Sequence, residues 1–211
     1  MKMRVAQRVT RPEKTQQRLG PSSAGLLLSI SEFEHAEFEE GWCYELIHGV
    51  LVVSPIPLLN ERDPNDELGY LLRRWRELHP QTHTLDATVT EHLIKTSRKT
   101  KRRVDRVIWA GLGRLPTEKD VPTVAVEFVS RGKRNYQRDY VLKRDEYLAI
   151  KVKEYWLIDR FRERMTVFAK VRRRIQERVI TAAEVYRTVL LPGFELRVGD
   201  LLAFAKRWPE E

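Results

Sequence analysis

Apolar and polar positions alternate along this chain in two rhythms, and together they predict most of its elements. In WCYELIHGVLVVSPIP, residues 42–57, two apolar runs flank His48-Gly49. That pattern predicts a β-hairpin with a tight turn, stopped by Pro55 and Pro57. DPNDELGYLLRRWRELHP follows, with Leu68, Leu71, Leu72, Trp75 and Leu78 recurring at spacings of three and four. This is an amphipathic helix, closed by His79-Pro80. Upstream, SISEFEHAEFEEG predicts a short helix capped by Ser31 with Glu34 and ended by Gly41. Strands are expected in THTLDATVTEHLI, RRVDRVIWAG, TVAVEFVS and KEYWLIDR, and a helix in NYQRDYVLKRDEYLAIKV. RMTVFAKVRRRIQERVI reads as strands or a hairpin with an outward basic face, and the tail from Leu191 as a turn, a short strand and a closing helix after Gly199-Asp200. The order predicts an α/β or α+β domain built on a mixed β-sheet flanked by helices.

Length and charge refine this picture. The 211 residues suit one domain, expected over 26–211, preceded by an arm at 1–25 with six basic residues and one acid, Glu13. The chain carries 39 Lys+Arg against 30 Asp+Glu, a net charge of +9, which points to an anionic partner such as nucleic acid. One cysteine, Cys43, excludes a disulfide framework and a cysteine zinc site. No apolar run nears the ~20 residues that span a bilayer, and the charged start lacks a signal core, so the cytoplasm is the expected location. Glycine-rich phosphate loops, dinucleotide fingerprints and hydrolase triads are absent.

Three acids interrupt apolar strand segments: Glu45 in CYELIHGVLVV, Asp105 in RRVDRVIWAG and Glu127 in TVAVEFVS. Alternation puts Thr123, Ala125, Glu127 and Val129 on one face. A buried carboxylate needs a cation, a metal or a proton. Each acid alone can turn to water or pair with an arginine. Two carboxylates on successive strands with a third upstream can also converge on a hard divalent cation such as Mg²⁺, beside a phosphodiester and a metal-bound water. Lys143 falls on the helical face of Tyr136, Tyr140, Tyr147 and Ile150, where it is a candidate catalytic cation. The alternative is an ordinary i,i+4 pair with Asp139.

The segments GWCYELIHGVLVVSP, VDRVIWAG, VEFVS, DYVLKRDEYLAIKVKEYWLID and LPGFEL together resemble the Uma-two-type restriction endonuclease family of the PD-(D/E)XK nuclease superfamily. The resemblance covers most of residues 26–204 and is strongest over 123–159. It implies a restriction-endonuclease-like core and Mg²⁺- or Mn²⁺-dependent hydrolysis of DNA. It matches Asp105 and Glu127 to the metal-binding acids, Glu45 to an upstream acid and Lys143 to the family lysine. The chain departs from the pattern at Val104, in place of the "PD" proline, at Val129, in place of the superfamily lysine, and at SRGK after Glu127.

Basic runs border both central acids. Lys99, Lys101, Arg102 and Arg103 precede Asp105, and Arg131, Lys133 and Arg134 follow Glu127. All seven are candidate DNA-binding residues, holding phosphates without reading sequence. The expected function is a metal-dependent endonuclease acting on duplex DNA, for which a homodimer would supply two active sites. One rival is a catalytically inactive nucleic-acid-binding module on the same fold. Another is an interaction domain whose five tryptophans are mostly core.

Overall fold

The computed structural model describes residues 18–132, 136–172 and 174–209. Residues 1–17 of the expected arm lie outside that range. From Leu19 onward the chain belongs to the body: Leu19 bridges to Phe38, and the Gly25 N–H donates to the Leu51 carbonyl at 2.9 Å. Residues 19–25, expected in the arm, thus pack on the body.

Among the described residues the main sheet has eight strands. They are β1 (Trp42–Ile47), β2 (Val50–Pro55), β3 (Leu85–Ser97), β4 (Thr100–Ala110), β5 (Val124–Phe128), β6 (Glu154–Asp159), β7 (Arg164–Val171) and β8 (Arg174–Thr181). The order is β2-β1-β4-β5-β6-β7-β8, with β3 paired along β4. Every pairing is antiparallel except β5–β6, which is parallel. A parallel neighbour requires a crossover. Here it is a π-helical turn, Arg138–Lys143, running into α3 (Arg144–Ala149). The other helices are α1 (Ile30–His35), α2 (Leu59–Leu78) and α4 (Val198–Lys206). A small ribbon pairs β9 (Val185–Tyr186) with β10 (Leu196–Arg197).

The hairpin forms as expected. His48 and Gly49 both take positive φ, 53° and 84°, as the tight primed turns of hairpins require. The cap of α1 differs from expectation. Ser29 is the N-cap and closes a capping box with Glu32, and the helix ends at Ala36 rather than at Gly41. Both Ser29 and Ser31 precede a glutamate by three residues. The frame used buries Phe33 with Tyr44, Leu46 and Leu51. Helix α2 begins at Leu59, ahead of the expected start, and contains Pro64, which has no N–H for the Asn60 carbonyl. Helix α4 begins at Val198.

The sheet is covered on both faces. Leu68, Leu72 and Trp75 of α2 and Leu201 and Leu202 of α4 pack on Ile108, Val126 and Trp156. On the other face Tyr147 and Leu148 of α3 pack on Val107, Ala125 and Leu157. Trp75, Trp109 and Trp156 are core, whereas Trp42 and Trp208 reach the surface.

Arg106 belongs to the first of these faces and does not join the phosphate-facing run expected around Asp105. It is buried beneath α2, giving hydrogen bonds to Asn65 Oδ1 at 2.7 Å, the Asn65 carbonyl at 2.7 Å and Thr88 Oγ1 at 3.0 Å. Burial, and then the charge of Arg73, bring its guanidinium down to about 10. Gly69 makes room for it, since a Cβ there would lie 2.5 Å from a guanidinium nitrogen.

Candidate active site

One irregularity in β4 determines where Asp105 points. Arg102 and Val104 face the α3 side, where Arg102 pairs with Glu146 and Val104 packs with Tyr147. Past Asp105 the parity reverses. Val107 and Trp109 now face α3, while Arg106 and Ile108 face α2. Across on β3, Thr90 pairs with Arg106 and His92 with Val104, but between them Glu91 has φ 55° and no ladder partner. Kinks of this kind re-aim a side chain. The β4–β5 ladder ends at Arg106–Val126, and just beyond that end Asp105 and Glu127 line one cleft.

The two carboxylates open into a cleft of about 450 Å³ that Glu45 and Lys143 also line. All four acid and lysine candidates thus meet in one place, at the C-terminal ends of the parallel strands β5 and β6. Asp105 Oδ2 accepts the Phe128 N–H at 2.7 Å. Glu127 is 2% exposed; its Oε1 accepts the Tyr147 hydroxyl at 2.7 Å and its Oε2 lies 2.7 Å from Lys143 Nζ. Lys143 is 4% exposed and is also 3.8 Å from Asp139. The expected i,i+4 pair therefore exists, but Glu127 is the nearer partner. Glu45, 8% exposed, accepts the Arg103 N–H at 3.1 Å.

Electrostatics set the charge state of this cluster. Burial, and then the charge of Glu127, push the Asp105 carboxyl well above the usual range. Burial also raises Glu127, against the pull of Lys143. Burial works against the Lys143 ammonium, but Glu127, Asp139 and Glu45 outweigh it and hold the lysine charged. The site is two crowded carboxylates and a fixed cation. That arrangement has hard oxygen donors on one side and a counter-charge for an anion on the other.

The cleft has further residues that strand alternation could not show. Asn60 and Glu61 reach it from the first turn of α2, with Ser130 and Arg160 from the ends of β5 and β6. Glu61 is raised by burial. Its position three residues after the N-cap Leu58 was hidden because the helix was expected to start later. Asp139 and Tyr147 hold Lys143 and Glu127 from the crossover.

The basic candidates divide. Arg103 and Arg131 line the cleft, with Arg103 paired to Glu91 at 2.5 Å. Arg102 does not face a ligand. It is 1% exposed, gives two hydrogen bonds to Glu146 at 2.7 and 2.8 Å, and lies 3.9 Å from Glu45. Lys101 is turned to Glu34 of α1 at 2.5 Å. Lys99 sits exposed at the β3–β4 turn, six residues and so ~20 Å of strand from Asp105. Lys133 and Arg134 lie outside the described residues. Arg102→Ala is accordingly expected to remove roughly 3 kcal/mol of stability, because it strands Glu146 and Glu45. The salt slope of DNA binding should not change, since no phosphate contact is lost. Denaturant unfolding and a salt titration of binding check both halves.

Comparison with known proteins agrees with this geometry. A search of the curated proteins finds no match. Among solved structures, a protein described as "a putative nuclease belonging to DUF820" from Anabaena variabilis superposes with a TM-score of 0.64 at 13% identity, covering 84% of this chain and 99% of that one. At that identity the likeness speaks for the fold, which is nuclease-like. The profile of the family described as "Uma2: Putative restriction endonuclease" matches residues 30–199. The chain, whose sequence segments resemble that group, therefore belongs to the Uma2 family, with its mixed sheet flanked by helices in a restriction-endonuclease-like fold.

Proposed function

We propose that this chain is a metal-dependent nuclease that hydrolyses DNA phosphodiester bonds in the cleft at Asp105 and Glu127. The observation that carries the reading is that those two carboxylates, from adjacent strands, line one cleft with Lys143 2.7 Å from Glu127. The donor chemistry fits Mg²⁺ or Mn²⁺: carboxylate oxygens crowded enough to raise Asp105, a strain that a divalent cation relieves. Among the described residues no three His, Cys, Asp or Glu side chains form a ready-made metal group. Asp105 and Glu127 would hold the ion together with the Phe128 carbonyl, and phosphate and water would complete its shell. When bound, such an ion activates water and polarises the phosphoryl oxygens.

The chain's own groups do the rest. Lys143 has three N–H donors; Glu127 lies within hydrogen-bond reach at 2.7 Å, and Asp139 is a more distant charge at 3.8 Å. A donor not turned to Glu127 would serve a phosphoryl oxygen, whose charge grows in the transition state. Glu45 Oε1 is held by the Arg103 N–H. This orients the other oxygen to accept from the attacking water. Arg103, Arg131 and Arg138 line the cleft as phosphate-positioning cations.

A non-catalytic DNA-binding module is the second reading. It is favoured by the engagement of both Glu127 oxygens within the protein. One assay separates the two. Purified chain is incubated with labelled DNA and Mg²⁺ or Mn²⁺, with and without chelator. The nuclease reading expects cleavage that requires the ion and disappears in Asp105→Ala/Glu127→Ala. Salt-sensitive binding with no cleavage, or cleavage that survives the double substitution, contradicts it.

A further inference from the structure

The rim of the cleft has a chemistry that phosphate binding does not explain. On one lip Ile56 and Leu58 line the cleft while 50% and 42% exposed. Next to Arg160, Phe161 is 38% exposed, with the guanidinium groups of Arg131 and Arg160 5.7 and 4.5 Å from its ring centre. Both arginines line the same cleft. The next residue, Arg162, stacks on the exposed ring of Tyr136 at 4.4 Å, and Tyr136 stacks on Tyr140 at 4.3 Å between ring centres.

This platform is held rigidly. Asp159, at the end of β6, is buried, and its Oδ1 accepts the N–H groups of Phe161 and Arg162, both at 3.0 Å. Its Oδ2 accepts the Tyr140 hydroxyl at 2.8 Å and an Arg162 N–H at 3.2 Å. A buried carboxylate thus fixes a surface turn that presents an aromatic ring to solvent. Two main-chain donors and two side-chain donors set the position of that ring before any ligand arrives.

We infer that the cleft takes an unpaired DNA strand, with Phe161 stacking a base beside it while the arginines hold phosphates. The inference rests on the nuclease reading for the identity of the buried end and names the substrate class. Two arguments support it. In a duplex the base faces are hidden by stacking, so apolar and aromatic lips gain nothing; an unpaired strand exposes those faces, and each stacked base is sequence-tolerant. The reacting groups also lie deep, with Glu127 only 2% exposed at the floor of a cleft of about 450 Å³. That volume suits one nucleotide unit, as small-molecule pockets do.

The test separates binding from cleavage. The full chain carrying Glu127→Gln is titrated, without divalent ions, with a fluorescent single strand, with its blunt duplex and with a duplex bearing an unpaired flap. The single strand and flap are expected to bind at least ten-fold tighter than the blunt duplex. Phe161→Ala should weaken the single strand by roughly five- to a hundred-fold, the range of one lost stacked base, and leave duplex affinity unchanged. Phe161→Trp should restore it, which a merely structural role for the ring would not predict. Equal affinity for duplex and single strand, or a Phe161→Ala loss shared by both, overturns the inference. Cleavage by the unsubstituted chain reads the other claim. Duplex cut as fast as single strand keeps the nuclease and removes the strand preference. Ring-dependent strand binding with no cleavage of any DNA keeps the preference and removes the nuclease.

Discussion

Asp105→Asn is expected to lower DNA cleavage by about a thousand-fold and at the same time to raise the melting temperature. The first effect follows from losing one of two carboxylates that would grip the ion. The second follows from what ionisation of Asp105 costs in the absence of an ion. Its carboxyl is raised by burial first and by Glu127 second. The folded chain therefore binds that proton more tightly than the unfolded chain does, and stability falls as pH rises from about 4 through the raised folded value. Asn carries no charge, and its oxygen can still accept the Phe128 N–H that Asp105 accepts at 2.7 Å. The gain should be a few degrees near neutral pH, as roughly 1 kcal/mol produces in a chain of this length, and should vanish below pH ~4. A side chain that lowers stability where it stands but is needed for the reaction is expected of a functional site. If activity and melting temperature fell together, Asp105 would be a structural acid. Thermal unfolding at pH 3.5 and 7.5 beside the cleavage assay distinguishes the cases.

Lys143→Met is expected to abolish cleavage and also to remove about 3 kcal/mol of stability, some 6–12 °C in melting temperature. The size follows from what is left behind. Lys143 is within 2.7 Å of Glu127 and 3.8 Å of Asp139, both nearly inaccessible to water. Without the ammonium Glu127 would be a buried carboxylate with no cation, while Asp139 would keep only Arg138, 2.8 Å away. Adding Glu127→Gln to Lys143→Met should recover much of the stability and none of the activity, because Gln removes the stranded charge but not the need for a cation at the phosphate. A double-mutant cycle measured by denaturant unfolding gives the coupling. A coupling near zero would mean that the two groups act independently.

What local pattern could reveal and what it could not divide along physical lines. The hairpin at His48-Gly49 and the face shared by Ala125 and Glu127 follow from a period of two and were legible in the sequence; Lys143 is buried with Tyr140 and Tyr147 as expected, but through a π-helical turn that leaves Tyr136, expected on the same face, 40% exposed. The cap of α1 was ambiguous because Ser29 and Ser31 each precede a glutamate by three, and packing of Phe33 decided between them. The basic run around Asp105 misled for a different reason. Charge density says nothing about direction, and Arg102 and Arg106, four apart on one strand, point to opposite faces because the strand kinks opposite Glu91. The partners that bury them, Glu146 and Asn65, lie some 40 residues away in either direction. No window of sequence contains such a pair. Asn60 and Glu61 escaped notice because Pro64 made the first turn of α2 look like a loop, although a helix tolerates proline near its start better than in its middle.

The most direct measurement is a calorimetric titration of the full chain with Mn²⁺, in parallel with Asp105→Asn/Glu127→Gln. The paired-carboxylate account predicts saturable binding to the unsubstituted chain, strengthened by a bound DNA strand and lost in the double variant. Identical Mn²⁺ binding by both proteins, or none by the unsubstituted chain even with DNA present, would contradict it.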